Sequence, residues 1–331
     1  VLAQPLRTLD LPAAPPITTA PAAPLRRPKA PVIALIVLGV LLTFGPIIGG
    51  LFSRTAAGQQ MVNQFAPHMQ PDAIARYDRE ISTLRAAAGG VDTVYCSQHV
   101  PAGQFPGLDQ FRSESTAIVA RSANLLQRVR ATEPQYQQVA QIGGFDRTPF
   151  LMVACGIVAI YGGCVLLVGR RSQARSVVLL VVLAGAAVAV YPFVSNLSSG
   201  AQAGQQMLRS LAPIMTPHEV HQLQNDFIVL VNTDGELDTT FRAVPQPGRA
   251  GADIAALVSD WPKLSSDFAS LVGTINDNIG NFNALDGLDS FSRDAGLPGM
   301  GAFPWVLVSI GVVTAGLATA ALPRRRKEKE T

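Results

Sequence analysis

The chain has 331 residues, of which 48% are hydrophobic and 15% charged, and its mean hydropathy is +0.26. Water-soluble domains carry about 25% charged residues, so the composition argues against an ordinary soluble protein and for one that lives in lipid. A net charge of +3 is too small for a nucleic-acid-binding surface, and three cysteines cannot build a disulfide framework.

Residues 1–30 form a Pro/Ala-rich stretch in which Pro5, Pro12, Pro15, Pro16, Pro21, Pro24 and Pro28 interrupt any apolar periodicity, and they are expected to be a disordered cytoplasmic arm. Residues 31–52, PVIALIVLGVLLTFGPIIGGLF, carry no charge and are long enough to cross a hydrocarbon core of about 30 Å. This apolar run exceeds the ~7–15 residues of a signal-peptide core, so it reads as an anchor. Pro46 near its end predicts a bend.

Residues 53–148 are expected to be a first extracytoplasmic helical domain. A helix bearing Met61, Phe65 and Met69 is followed by a second that starts at Pro71, where a missing N–H costs nothing. Ile74, Tyr77, Ile81 and Leu84 fall on one face of it, and Gly89 and Gly90 are expected to end it. Residues 91–108 read as loop. A further helix follows with Phe111, Ile118, Leu125 and Val129 on one side and a break at Pro134.

Residues 149–168 are a second span, 169–176 a basic cytoplasmic turn, and 177–194 a third span with Pro192 near its end. Residues 195–302 form a second helical domain. Its Thr216-Pro217-His218-Glu219 is a capping box, in which the Thr hydroxyl and Glu carboxylate satisfy free N–H groups at a helix start. Val220, Leu223, Phe227 and Leu230 then repeat the face of the first domain. After a loop over residues 244–251 comes a stripe of Leu264, Phe268, Leu271, Ile275, Ile279 and Phe282. Residues 303–322 are the fourth span and 323–331 a basic cytoplasmic tail.

One segment organises this layout because it occurs twice. AGQQMVNQFAPHMQPDAIARYDREISTLRAAAGGVDT begins at Ala57, and AGQQMLRSLAPIMTPHEVHQLQNDFIVLVNTDGELDT begins at Ala203. The fold class expected is therefore an all-α membrane protein of four transmembrane helices, arranged as two tandem span–helical ectodomain–span repeats, each ectodomain a small bundle on its own two spans. Basic clusters at Arg26, Arg27 and Lys29, at Arg170, Arg171 and Arg175, and at Arg324–Lys329 fall on one side, which the positive-inside bias makes cytoplasmic. Both termini are then cytoplasmic and both large loops lie outside a bacterial cytoplasmic membrane. The first of these loops is nearly balanced in charge, while the second is acidic.

Candidate chemistry is sparse. His218 and His221 are one residue too close for the zinc-protease spacing, and with His68 and His99 they read as surface or capping residues. The stretch Asn232–Asp238 alternates oxygen-bearing side chains but lacks the glycine position and distal glutamate of a calcium loop, so it reads as a helix-ending turn. Met61, Phe65, Met69, Met207, Leu211 and Met215 read as bundle core, with a lipid-contacting groove as the sharper alternative. Cys155 and Cys164 are expected to be buried apolar groups and Cys96 a free or packed thiol. Gly45 with Gly49, and Gly185 with Ala189, have the spacing that brings membrane helices close together. The spans hold none of the intramembrane charges that normally mark an ion or proton path. No catalytic, cofactor-binding or metal-binding residue is assigned.

In composition and layout the chain is similar to uncharacterised integral membrane proteins of actinobacteria, a resemblance of overall style that brings no functional residue with it. The expected partners are the lipid bilayer and other membrane or envelope proteins, without nucleic acid, and a homo-oligomer is compatible. The function expected is that of a non-enzymatic scaffold or accessory subunit of a cell-envelope assembly. An extracytoplasmic sensor and a transporter of an apolar or lipidic substrate are the alternatives.

Overall fold

A computed structural model describes residues 29–168, 173–246, 248–294 and 296–322, apart from the side chain of residue 291. The Pro-rich arm, the tail, and Arg26, Arg27, Arg170 and Arg171 lie outside the described residues. Every regular element among the described residues is helical. In chain order these are α1 (Lys29–Ile48), α2 (Leu51–Phe65), α3 (Pro71–Gln98), α4 (Pro106–Ala140), α5 (Thr148–Val168), α6 (Ala174–Val194), α7 (Leu197–Leu211), α8 (Pro217–Asp238), α9 (Gly248–Asp294) and α10 (Phe303–Ala320). Four stretches are long and apolar enough to cross a bilayer: Lys29–Ile48, Phe145–Val168, Ala174–Val194 and Met300–Ala320. They form a bundle whose outward sides carry Ile33, Leu41, Phe44, Ile157, Leu183, Val190 and Val312, all largely exposed.

Within this span bundle α1 pairs with α5 and α6 with α10. Glycine brings each pair together. A Cβ on Gly156 would lie 2.7 Å from the Gly39 carbonyl oxygen, and one on Gly185 would lie 2.7 Å from that of Gly311. Only Gly permits so close a backbone approach, and in lipid such packing replaces the hydrophobic drive that water supplies. Gly45 faces open space instead, and Gly49 meets only its own helix, so the expected Gly45–Gly49 contact is replaced by one centred on Gly39. Cys155 is buried but Cys164 faces outward, contrary to expectation. The hydroxyls of Thr43 and Thr314 donate to the carbonyls of Gly39 and Ile310 on their own helices, so neither is left unsatisfied in the apolar interior.

All four spans join the remaining helices at the same end of the bundle. The Tyr191 hydroxyl donates to the Gly144 carbonyl at 2.7 Å, and the Gly143 N–H donates to the Ser195 carbonyl at 3.1 Å, tying the exits of α4 and α6 together. Pro46 and Pro192 remain inside α1 and α6. The interruptions come later, at Gly50 (φ 62°) and Asn196 (φ 56°), the left-handed residues that precede α2 and α7. Helices α2 and α7 are 15 residues each, and α3 and α8 each begin on a proline.

The distal helices make one bundle, not the two separate ones expected. Helices α2 and α3 rise from the spans and α4 descends; α7 and α8 rise and α9 descends. At the base the partners are exchanged between halves: α2 packs on α9, and α7 packs on α4. Met61, Phe65 and Met69 therefore share one core with Met207, Leu211, Met215, Ile275 and Phe282. Farther out, Leu84, Val91, Tyr95 and Phe111 share a second with Leu230, Leu237, Phe241 and Ile254. The reason is geometric: each pair of rising and descending helices has apolar residues on more than one side, which a two-helix unit cannot cover. Helix α9 has 47 residues and spans about 70 Å at 1.5 Å per residue.

Three local expectations are corrected. Helix α3 continues through Gly89 and Gly90 to Gln98, because Gly90 is where α9 crosses: a Cβ there would lie 2.8 Å from the Ala250 carbonyl oxygen. Pro134 stays within α4, flanked by buried Thr132 and Tyr136 that hold the helix in place. Residues Asn232–Asp238 belong to α8. The capping hydroxyl holds, with Thr216 Oγ1 accepting from the Glu219 N–H at 3.2 Å. Replacing Gly156 with Leu should wedge α5 from α1 and cost about 1–3 kcal/mol, whereas Gly45→Leu should be near neutral. Thermal unfolding of both variants in detergent measures the difference.

Candidate functional site

A set of partly buried polar groups lies between α3 and α9, on the seam where the two halves meet. The chain places them by helical spacing. Arg76 and Glu80 are four apart on α3, and Lys263 and Asp267 are four apart on α9, so each pair projects from one side of its helix. Asp267 Oδ2 accepts from Arg76 Nε at 2.6 Å and from Lys263 Nζ at 2.9 Å, and Lys263 Nζ also reaches Glu80 Oε1 at 3.3 Å. Beside them the buried His68 ring shares hydrogen bonds with the Tyr77 hydroxyl (2.6 Å) and the Thr274 hydroxyl (3.1 Å). His68 is thus a core residue, not the surface or capping group expected, because Thr274 of the other half closes over it. His218 and His221 are exposed and bond to glutamines on their own helix, and His99 caps α3 in a left-handed conformation (φ 52°).

The electrostatics follow from burial. Glu80 is pushed up to about 7 by desolvation and by the neighbouring Asp267, with Lys263 opposing. Burial also acts on Asp267, but the hydrogen bonds from Lys263, Glu80 and Arg76 outweigh it and hold Asp267 below the usual carboxylate range. Burial lowers His68, with Asp267 opposing, which keeps its ring neutral near pH 7. Asp234 on α8 is held up to about 6 by burial and by Asp238.

The matching seam, between α8 and α4, is built differently. Asp226, 3% exposed, receives Arg121 Nε at 2.7 Å and the Arg121 Nη2 as well, a two-pronged contact. Asp226 lies 146 positions after Glu80, and Asp267 lies 146 positions after Arg121. One seam therefore sets arginine against aspartate, while the other sets aspartate beside glutamate and needs Arg76 and Lys263 to bridge them. A further tie between halves caps α4: Glu236 accepts from the N–H groups of Gly107 and Leu108 at 2.9 and 2.8 Å. A carboxylate there meets the positive end of the α4 dipole.

At the base, Gly58, Met61, Gly204, Met207, Leu285 and Met300 surround an apolar cavity of about 50 Å³. That is well below the ~150 Å³ that admits benzene. The methionine stripes are therefore core. Among the described residues no group of three or more His, Cys, Asp or Glu is arranged to hold a metal. No protein-family model matches the chain, and no curated protein or solved structure is significantly similar to it.

The cross-half links were not legible in the sequence. Nothing in the local sequence distinguishes Glu80, Asp267, Arg121 and Asp226 from other charges on these helices. Laying the two copies over one another at the 146-residue offset would have shown that the charge reverses at one matched position, from Arg121 to Asp267.

The arrangement can hold the halves together and can respond to protons. Replacing Arg121 with Met strands the Asp226 carboxylate and should cost roughly 2–4 kcal/mol, less than for a dry pair because Arg121 keeps one side to solvent. Denaturant unfolding in detergent measures it. Glu80 binds its proton more tightly in the folded chain than at its ordinary 4.5, so its contribution is complete below pH 4.5 and is lost as pH rises through about 7. Asp267 has the opposite sign: its contribution is present above pH 3.8 and is lost as pH falls through its lowered value. His68 opposes Glu80 near pH 6.5 but is common to both proteins compared. Between pH 4.5 and 7 the wild type should therefore lose up to about 3 kcal/mol relative to Glu80→Gln. Parallel melting curves of the two proteins across that range check the slope.

Proposed function

We propose that the protein is a non-enzymatic scaffold or accessory subunit of a cell-envelope assembly in a bacterial cytoplasmic membrane. It consists of two tandem copies of a span–helical–span unit, with both termini cytoplasmic and the distal bundle outside. One observation carries this reading: a continuous, interlocked bundle, with a helix of about 70 Å, rises directly from four spans. Such a body is stiff because each helix is clamped by neighbours from both halves, and it presents helix surfaces far from the bilayer for other proteins to grip.

The duplication is supported by the repeated AGQQM segment and by elements that recur in step. Leu51–Phe65 and Leu197–Leu211 are offset by 146 positions at both ends, as are the left-handed Gly50 and Asn196. The sidedness is supported by the three basic clusters. Aromatic pairs, Phe52 with Phe150 and Phe193 with Trp305, sit where spans meet distal helices, the level of a lipid headgroup layer. The apolar cavity at the base is too small for an acyl chain and lends no support to lipid transport.

The test joins topology to partnership. A phosphatase reporter, active only outside the cytoplasm, should be silent when fused after Thr331 and active when inserted in the Val100–Gln104 turn at the bundle tip. Crosslinking in intact membranes from residues on the distal bundle should capture a small, reproducible set of envelope proteins. A reporter active at Thr331, or crosslinks only to lipid, overturns the reading.

A further inference from the structure

The outer groove between α3 and α4 stands apart from the rest of the distal surface. It encloses about 310 Å³ and is lined by Asp78, Arg79, Ser82, Arg85, Gln127 and Arg130. Arg130 pairs with Asp78 at 3.3 Å, both side chains being more than half exposed. Arg79 and Arg85 form no ion pair among the described residues. Three guanidinium groups thus face one carboxylate, and Arg79 also borders the groove on the other flank of α3, where Arg76 and Lys263 lie paired with Glu80 and Asp267 and Asp260 is close by.

The bundle itself does not require these arginines. At the positions 146 residues later, Arg79, Ser82, Arg85 and Arg130 are matched by Asn225, Ile228, Val231 and Asn276. Those residues occupy α8 and α9, which pack against each other as α3 and α4 do. That helix pair forms without positive charge, so packing does not call for Arg79 and Arg85, while Arg130 is the partner of Asp78. Gathering like charges in one groove costs free energy through repulsion unless an anion neutralises them.

We propose that this groove binds an oligoanion, a ligand carrying several phosphate or carboxylate groups in series. The guanidinium fork pairs with either group through two parallel hydrogen bonds, and two of the three forks are free to do so. Asp78 sets the selectivity. It holds Arg130 at one wall and repels any anion, so a ligand must carry enough charge to gain from Arg79 and Arg85 together. Because the contacts are exposed, binding rests on summed charge and weakens as salt screens it.

Full-length protein in neutral detergent, titrated calorimetrically with tripolyphosphate and with citrate at low and high salt, tests this. At least one of the two should bind at low salt and bind less tightly at high salt, and which one does so separates phosphate from carboxylate recognition. The variant R79N/R85V/R130N, which carries the residues of the matching second-half groove, should bind at least about tenfold more weakly. Arg112→Gln, at an arginine paired with Asp92 elsewhere, should bind as the wild type does. Should the triple variant fail to fold, R85V alone must still weaken binding several-fold. Absence of binding by both anions, undiminished binding by the groove variants, or an equal loss in Arg112→Gln overturns the proposal.

Discussion

The structure depends on an exchange of partners at the base of the distal bundle. Each rising helix leaves its own spans and packs on the descending helix of the other half, so neither half contains a complete core. Withdrawing one Met, Leu or Phe side chain from water is worth roughly 1.5–3 kcal/mol. Exposing the six residues Met61, Phe65, Met69, Met207, Leu211 and Met215 would therefore cost about as much as the whole stability of an ordinary domain. Separation of the halves is unfolding, and every charged contact across the seams is set within that constraint.

Two packing rules operate on the same chain. In the distal bundle the helices are drawn together by burying long apolar side chains against water. Among the spans lipid is as apolar as leucine, and helices gain nothing by hiding Leu or Val from it. There the close contacts belong to Gly39, Gly156, Gly185 and Gly311, where backbones touch directly. The change from one rule to the other falls at Gly50 and Asn196, where a single left-handed residue lets the chain redirect itself.

Much of this outline was legible in the sequence, and the reasons are particular. Long uncharged runs can only be long apolar helices, and Pro71 and Pro217 open helices because their missing N–H groups fall where none is needed. The expected core positions of α3, α4 and α8 are mostly buried. What could not be read was anything that depends on which helix lies opposite. Gly90 looked like a terminator because nothing local says that α9 crosses there. His68 looked like a surface residue because its partner Thr274 lies two hundred residues away. The two lobes looked independent for the same reason, since periodicity gives the direction of an apolar face but not the identity of what covers it.

The unlike seams bear on what either half could do alone. If two copies of the first half were to adopt this arrangement, each Glu80 would meet an Arg121 from its twin, and the assembly would be electrically self-complementary twice over. Two copies of the second half would instead bring Asp226 against Asp267 at both sites, with Lys263 but no Arg76 to mediate, because Gln222 stands in the matching place. By charge alone the first-half residues are complementary to themselves across such seams, whereas those of the second half are complementary only to the first.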